Sequence, residues 1–193
     1  VLSFDQLRAD LLTRSSRHFL PATAPGGKYG GFRYLMENGA NYVDAHFQHV
    51  PLHTGPVHAT IMTGAAPRYS GIIGNSWYTT AGLSVNCVGD PDTHTIGVPD
   101  SPTRRESSSP RKLLAETVGD VLRMSNNRQS KVYGIAIKDR GAILPSGHNA
   151  NGAVWFDSNH GKWVTSSYYT TGTLPSFAQR ANELRLAERY LGQ

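Results

Sequence analysis

The sequence has 193 residues, enough to bury a core of its own, and this length favours one globular domain. Its 20 glycines, 11 prolines and 17% charged residues favour a loop-rich α/β enzyme over a helical bundle or a disordered chain. The net charge is +5, but the lysines and arginines are scattered. They form no basic stripe of the kind that nucleic-acid binding needs, so no nucleic-acid partner is expected.

Hydrophobic periodicity and turn residues predict the elements of the first 50 residues. These are a buried strand over 1–4 that ends at Asp5, a helix over 6–15, a loop over 21–31, a short helix that contains Phe32 and Met36 and ends at Asn38-Gly39, and a strand over 41–47. An acidic residue directly after a buried strand is a common position for a metal ligand, so Asp5 is a candidate. The alternative is that Asp5 caps a helix starting at Gln6.

The rest of the chain continues the alternation of helices and strands. The predicted elements are a helix from Thr54 to Gly64, a loop over 71–75, hairpin strands over 77–80 and 83–88, a loop excursion over 89–111, a helix over 112–124, a buried strand over 132–137, strands over 153–156 and 162–169, and a helix over 175–190. This order predicts an α/β fold with a partly parallel sheet. Ligands of such folds bind beyond the carboxyl ends of the strands.

Thr54 stands at the start of a predicted helix and has two interpretations. As a helix cap it would contribute on the order of 1 kcal/mol to stability. As a nucleophile it would benefit from the N–H groups and partial positive charge of a helix N-terminus, which favour an alkoxide and a phosphate group. A threonine hydroxyl is a poor nucleophile by itself and needs a base or a metal ion.

Lys138 and Arg140 are two residues apart at the end of a predicted strand. Alternate residues of an extended segment point the same way, so the two cations would share one face. A point charge beside a planar guanidinium suits the terminal oxygens of a phosphate monoester. The alternative is a pair of ordinary charges at a solvated strand end.

Four histidines surround the start of the Thr54 helix: His46, His49, His53 and His58. Histidine is a frequent zinc ligand, but this spacing matches no recognised metal motif. We therefore expect structural roles, with His58 packing or hydrogen-bonding behind Thr54. Cys87 is the only cysteine, which excludes an internal disulfide and a cysteine-based zinc site. No stretch of about 20 apolar residues occurs, so no membrane span is expected.

Taken together, the motifs resemble the alkaline phosphatase superfamily, in the branch related to type I phosphodiesterases and nucleotide pyrophosphatases that contains the PafA-type alkaline phosphatases. The resemblance is carried by segments in the same order along the chain: 4–8 (FDQLR), 54–64 (TGPVHATIMTG), 71–77 (GIIGNSW), 137–148 (IKDRGAILPSGH), 153–156 (AVWF) and 163–169 (WVTSSYY). No single motif is decisive, but their joint order is specific. The resemblance implies an alkaline-phosphatase-like sheet with helices on both faces, of which residues 1–193 would be the N-terminal part of one catalytic domain.

The resemblance also implies roles for individual residues. Thr54 would be the nucleophile, forming a phosphothreonine that water hydrolyses, and Asp5 would ligate the one of two zinc ions that activates it. Asn75, Lys138 and Arg140 would bind the phosphate oxygens of a small phosphate ester. The cation pair favours monoesters, with a phosphodiesterase or nucleotide pyrophosphatase as the alternative. The family also implies a periplasmic or secreted location.

The sequence departs from the family in its metal ligands. A complete two-zinc site needs an aspartate followed four residues later by a histidine, an Asp-His pair and a further histidine. The chain contains no Asp-His dipeptide, and Asp157 and His160 are three residues apart. We therefore expect the N-terminal part of a larger enzyme, inactive in isolation. The alternative to an enzyme is a non-catalytic module that binds phosphate without metal.

Overall fold

The computed structural model describes residues 1–24, 28–99 and 106–186 of the chain. Helices and strands alternate in it, which confirms the predicted mixed α/β class. The fold divides into two compact units, Val1–Phe47 and Gln48–Gln193. Among the described residues, no helix is long and apolar enough to cross a membrane.

The first unit is small and is held by aromatic packing. Its elements are α1 (Ala9–Arg14), a short 3-10 helix (Ser16–His18), the paired two-residue strands β1 (Thr23–Ala24) and β2 (Lys28–Tyr29), and α2 (Gly31–Asn38). The ring of Phe32 lies 5.3 Å from the rings of both Phe4 and Phe19. Helix α2 ends at Asn38, with Gly39 as its C-terminal cap, as the sequence predicts.

The prediction of two strands in the first unit is wrong. Residues 1–4 and 41–47 are exposed and form no strand, because an apolar or alternating run needs a hydrogen-bonded neighbour and no described strand pairs with either. Asp5 lies in a turn, next to Gln6 with φ of 60°. The N-cap position of helix α1 is Arg8, which makes no side-chain capping bond, so Asp5 neither ends a strand nor caps a helix.

The second unit contains twelve elements among its described residues. They are α3 (Thr54–Thr63), α4 (Pro67–Ser70), β3 (Ser76–Tyr78), β4 (Ser84–Asn86), β5 (Gly89–Ile96), β6 (Glu106–Ser108), α5 (Val118–Ser125), β7 (Tyr133–Ala136), α6 (Asp139–Ser146), β8 (Gly152–Asp157), β9 (Lys162–Ser166) and α7 (Ser176–Glu183). Strands β3 and β4 form the predicted antiparallel hairpin.

Five strands form the main sheet, in the order β6-β5-β9-β8-β7. Strands β7 and β8 run parallel, and the other neighbours are antiparallel. The prediction of a partly parallel sheet is therefore confirmed. The sequence predicts a buried strand over 132–137, but Tyr133 and Ile135, which share one face of β7, are exposed. Strand β7 is an edge strand among those described.

Helices cover both faces of the sheet, as predicted. Ala153 and Trp155 of β8 pack in the core with Ala59 of α3 and Ile143 of α6. Val154 points to the opposite face, where it lines an apolar groove together with residues of α7. This alternation follows the two-residue period of a strand, and it places α3 and α6 on one face and α7 on the other.

Three other predictions need correction. The loop excursion over 89–111 contains strands β5 and β6, with residues 100–105 outside the described part. The helix predicted over 112–124 begins only at Val118, where Thr117 and Asp120 exchange side-chain and backbone hydrogen bonds in a capping box. Helix α7 ends at Glu183, with Leu184 as its C-terminal cap, so it stops short of the predicted end; residues 187–190 of the predicted helix lie outside the described residues.

Candidate active site

Helix α3 begins at Thr54, which is half-buried. The cap is His53, with extended backbone angles of φ −81° and ψ 157° and no side-chain capping bond. Thr54 is thus the first helical residue, and its interpretation as the cap is wrong. The Nδ1 of His58 donates to the carbonyl oxygen of Thr54 at 2.8 Å, which confirms the expected role of His58 behind Thr54.

Asn75 is bonded to the first turn of the same helix. The backbone N–H of Gly55 donates to Asn75 Oδ1 at 2.7 Å. Because a backbone N–H can only donate, this bond identifies the oxygen of the side-chain amide. The Nδ2 group, a donor of two hydrogen bonds, has no acceptor among the described residues. Asn75 can therefore donate to a ligand near Thr54.

Glycine at position 55 permits this close approach. A Cβ there would lie 3.1 Å from the carbonyl oxygen of Gly74 and 3.2 Å from both Asn75 Oδ1 and Cys87 Sγ. These contacts are tighter than side chains normally adopt, so a larger residue would push the Asn75 loop away from the helix. The Gly-Pro sequence after Thr54 thus allows the loop and the helix to meet.

The helix N-terminus offers fewer free donors than the sequence suggests. The N–H of Gly55 is bonded to Asn75, Pro56 has none, and the N–H of Val57 donates to the carbonyl oxygen of His53 at 3.1 Å. The helix dipole still favours negative charge at this end. Side chains therefore offer most of the free hydrogen-bond donors around this end of the helix.

Cys87 links three parts of the site, and sequence reasoning gave it no role. Its N–H donates to the carbonyl oxygen of Asn75 at 3.0 Å, its sulfur lies against Gly55, and the guanidinium of Arg140 lies beside it. Burial raises the pKa of the thiol to about 11, although the neighbouring Arg140 opposes this shift. Cys87 is therefore neutral at physiological pH and leaves the charge of Arg140 intact. A lone cysteine outside any motif gives no signal of this role in the sequence.

Lys138 and Arg140 lie at the start of α6 rather than on a strand. Lys138 is the cap, with φ −108° and ψ 144°, and Arg140 is the second helical residue. The predicted extended segment is therefore wrong, because the chain turns into a helix at Asp139. Lys138 is exposed, whereas the Arg140 side chain retains 23% of its exposure.

Helices α3 and α6 approach each other closely behind the site. A Cβ at Gly141 would lie 3.2 Å from that of Ala136 and 4.0 Å from Nε2 of His58. This packing brings the start of α6 to the start of α3. The second unit therefore gathers Thr54, Asn75 and Arg140 around one helix terminus, with Cys87 between them.

The described residues contain no group of three or more histidine, cysteine, aspartate or glutamate side chains able to hold a metal ion. Asp44 pairs with His46 at 2.7 Å, and Asp157 with His160 at 2.8 Å. Burial raises the pKa of Asp157, but hydrogen bonds from His160 and from the N–H of Asn159 together lower it by more. The pKa of this carboxyl is therefore below its usual value. The side chains present do not fit a complete two-zinc centre.

Comparison with known proteins places this chain among the hydrolases of the alkaline phosphatase superfamily. The model of the type I phosphodiesterase / nucleotide pyrophosphatase family matches residues 1–191, and the chain belongs to that family. It is 38% identical over 190 residues to alkaline phosphatase PhoV of Synechococcus elongatus, covering 98% of this chain and 32% of that relative.

Solved structures agree with the family assignment. The crystal structure of wild-type alkaline phosphatase PafA superposes with a TM-score of 0.84 at 36% identity, covering 94% of this chain and 33% of that one. A PafA mutant, altered at a threonine, an asparagine, a lysine and an arginine, gives a TM-score of 0.83 at 34% identity with the same coverage. The alkaline-phosphatase-like fold is therefore confirmed. The chain spans about a third of the length of these relatives.

Proposed function

We propose that the full-length protein hydrolyses phosphate monoesters through a phosphothreonine at Thr54, and that this chain supplies the nucleophile and the phosphate-binding side chains. The observation that carries the proposal is the 2.7 Å bond from Gly55 N–H to Asn75 Oδ1. It fixes an amide donor beside the residue that would attack phosphorus. Buried Cys87 links the same turn to Arg140.

The reaction divides into two displacements at phosphorus. In the first, the Thr54 hydroxyl oxygen forms a bond to phosphorus, and the bond between phosphorus and the ester oxygen breaks. The ester oxygen leaves as an alcohol, which takes up the equivalent of the proton lost from the hydroxyl. In the second, water attacks the phosphothreonine, restoring the hydroxyl and releasing inorganic phosphate. Covalent catalysis of this kind divides one difficult step into two easier ones.

The side chains around Thr54 would hold the phosphoryl group while these bonds change. Asn75 Nδ2 would donate to one non-bridging oxygen, and Arg140 with Lys138 would bind the others. Donors fixed in advance stabilise the charge of the transition state without reorganisation at the moment of reaction. Arg140 is held against Cys87 and partly buried, so less side-chain entropy is lost when it binds phosphate.

The PafA mutant supports this assignment. Its four substituted residues are a threonine, an asparagine, a lysine and an arginine, the same types in the same order as Thr54, Asn75, Lys138 and Arg140. The spacing within the threonine–asparagine pair and within the lysine–arginine pair is also the same. These four residues are accordingly our candidates for the catalytic set.

The proposal includes two zinc ions in the full-length protein. Asp5 and Thr54 are the ligands that this chain would contribute, and the other ligands would come from sequence outside it. The relatives are about three times longer than this chain, which is consistent with a site completed elsewhere. We accordingly propose that the isolated 193 residues have little activity, and, on the resemblance alone, that the protein is periplasmic or secreted.

A phosphodiesterase or nucleotide pyrophosphatase is the second candidate function. The description of the matching family, type I phosphodiesterase / nucleotide pyrophosphatase, favours it. A phosphodiester carries a second ester group in place of one terminal oxygen. A diester would then leave one of the two cations without a terminal oxygen to bind. The Lys138–Arg140 pair therefore favours the monoesterase. A phosphate-binding module without catalysis remains the alternative from another class.

The test is a Thr54→Val substitution in the full-length protein, which removes the hydroxyl and keeps the shape. We expect the turnover of p-nitrophenyl phosphate to fall by roughly 10³-fold or more, and Thr54→Ser to retain part of it. Thr63→Val, at the other end of the same helix, is the matched control and should leave turnover nearly unchanged. Turnover of Thr54→Val at the wild-type rate would refute the nucleophile.

A further inference from the structure

Ser108, at the end of β6, and Asp139, at the start of α6, are joined by a hydrogen bond. Ser108 is buried at the end of β6, and its Oγ donates to Asp139 Oδ2 at 3.0 Å. The other carboxylate oxygen accepts from the backbone N–H of Arg140 at 2.7 Å. One carboxylate therefore connects the sheet to the start of α6.

This carboxylate is the side-chain anchor of that helix end. The cap residue, Lys138, makes no side-chain capping bond, because an ammonium group has no acceptor for the free N–H groups of the first turn. Asp139 in the first turn interacts favourably with the helix dipole. Its Oδ1 also lies 3.9 Å from Nη1 of Arg140, which orients the guanidinium.

Cys87 is a second neighbour of Arg140. The buried thiol lies beside the guanidinium, and its backbone is bonded to Asn75. The arginine thus has a neutral sulfur and an anchored carboxylate as neighbours. Without the Ser108 bond, the carboxylate could rotate away and the helix start could shift.

We propose that Ser108 is a positioning residue, which acts through Asp139 to hold Lys138 and Arg140 in place for the terminal oxygens of a phosphate monoester. This inference rests on the proposed function. In the proposed mechanism, Ser108 contacts neither the substrate nor the nucleophile. The inference gives strand β6 a part in substrate discrimination, although the sequence predicts a loop for this segment.

The test compares Ser108→Ala with Ser107→Ala in the full-length protein. Ser107 is equally buried on the same strand, but its Oγ accepts from Thr95 Oγ1 at 3.2 Å. For Ser108→Ala we expect kcat/KM to fall about tenfold for p-nitrophenyl phosphate and less than about threefold for bis(p-nitrophenyl) phosphate. For Ser107→Ala we expect neither value to change by more than about twofold.

A double-mutant cycle separates positioning from general support of the fold. If Ser108 acts through the cations, adding Ser108→Ala to the Lys138→Ala/Arg140→Ala protein should cause no further loss on the monoester. Asp139→Asn, which keeps the size of the side chain, provides a second variant if Ser108→Ala unfolds. It should show the same selective loss.

Equal losses on both substrates, a loss matched by Ser107→Ala, or an undiminished loss in the double-variant background would each overturn the inference. These results are distinguishable from failure of the proposed function, which the Thr54→Val protein reports separately. If Thr54→Val abolishes turnover while Ser108→Ala is indistinguishable from Ser107→Ala, only the positioning role fails. If Thr54→Val keeps full turnover, the mechanism itself fails.

Discussion

The side-chain oxygen of Asn75 lies 2.7 Å from the backbone nitrogen of Gly55, the residue directly after Thr54. This one bond links the loop of Asn75 to the helix of Thr54 and decides which end of the amide meets the helix. The oxygen is occupied by the backbone, and the nitrogen is left to donate. An asparagine that only filled space would need no such orientation.

The first prediction concerns Asn75→Asp. The carboxylate keeps the acceptor for Gly55 N–H but replaces the Nδ2 donor by a negative charge that repels phosphate. We expect kcat for p-nitrophenyl phosphate to fall by about 10²- to 10³-fold, the usual cost of losing one transition-state donor. Steady-state kinetics on the full-length protein measure this loss.

The control for Asn75→Asp is thermal unfolding. Because the bond to Gly55 persists, the midpoint should stay within a few degrees of the wild-type value. Asn86→Asp is the matched substitution, since its Oδ1 also accepts a backbone N–H, that of Val88 at 3.0 Å. If Asn86→Asp lowers kcat as much as Asn75→Asp does, the donor role of Asn75 is wrong.

The second prediction concerns substrate choice. Replacing Lys138 and Arg140 together by alanine should reduce kcat/KM for a monoester by about 100-fold and for a diester by less than about tenfold, because only the monoester presents oxygens for both cations. Rates for p-nitrophenyl phosphate and bis(p-nitrophenyl) phosphate give the ratio.

The matched control for charge is Arg180→Ala with Lys162→Ala, two cations on α7 and β9 outside the proposed site. This pair should leave both rates nearly unchanged. An equal reduction for monoester and diester in the Lys138 and Arg140 variant would favour the phosphodiesterase alternative instead.

The third prediction concerns Cys87 and pH. Burial raises the pKa of this thiol from 9.0 to about 11, so between these values the folded protein keeps a proton that the unfolded chain has lost. Stability therefore falls as pH rises through this window, by up to ~1.4 kcal/mol per pH unit from this group. Cys87→Ser removes the ionisation and should flatten the decline.

Urea unfolding of the wild-type protein and of Cys87→Ser from pH 8 to 10.5 measures the difference. Other groups titrate in both proteins, so only the difference between the two curves reports the thiol. Parallel curves would contradict the raised pKa. Iodoacetamide gives an independent check, because a buried neutral thiol should react slowly at pH 8 in the native state and quickly in urea.

Local sequence was enough for the elements whose signals are local. The Thr-Gly-Pro start predicted α3, the Ala81-Gly82 turn predicted the hairpin of β3 and β4, and hydrophobic runs predicted β7, β8 and β9. These predictions succeeded because helix starts, tight turns and alternation depend on neighbouring residues. The ordered motifs likewise supported the family, which the comparisons confirm.

Strand pairing was decided by the tertiary structure. The segment over 89–111 is rich in polar residues and resembles a loop, yet β5 is the strand that joins β6 to β9. Residues 1–4 are apolar and resemble a strand, yet they are exposed. A strand is stable only beside another strand, and the sequence of one segment does not contain its partner.

The sequence by itself determined which residue types stand at the candidate site and in what order: Thr54, Asn75, Lys138 and Arg140. Only the tertiary structure decided how Asn75 faces Gly55, that Cys87 lies beside Arg140, and that Ser108 is bonded to Asp139. The two hydrogen bonds, Gly55 to Asn75 and Ser108 to Asp139, join residues 20 and 31 positions apart along the chain. Such contacts exist only once the whole fold has brought the elements together.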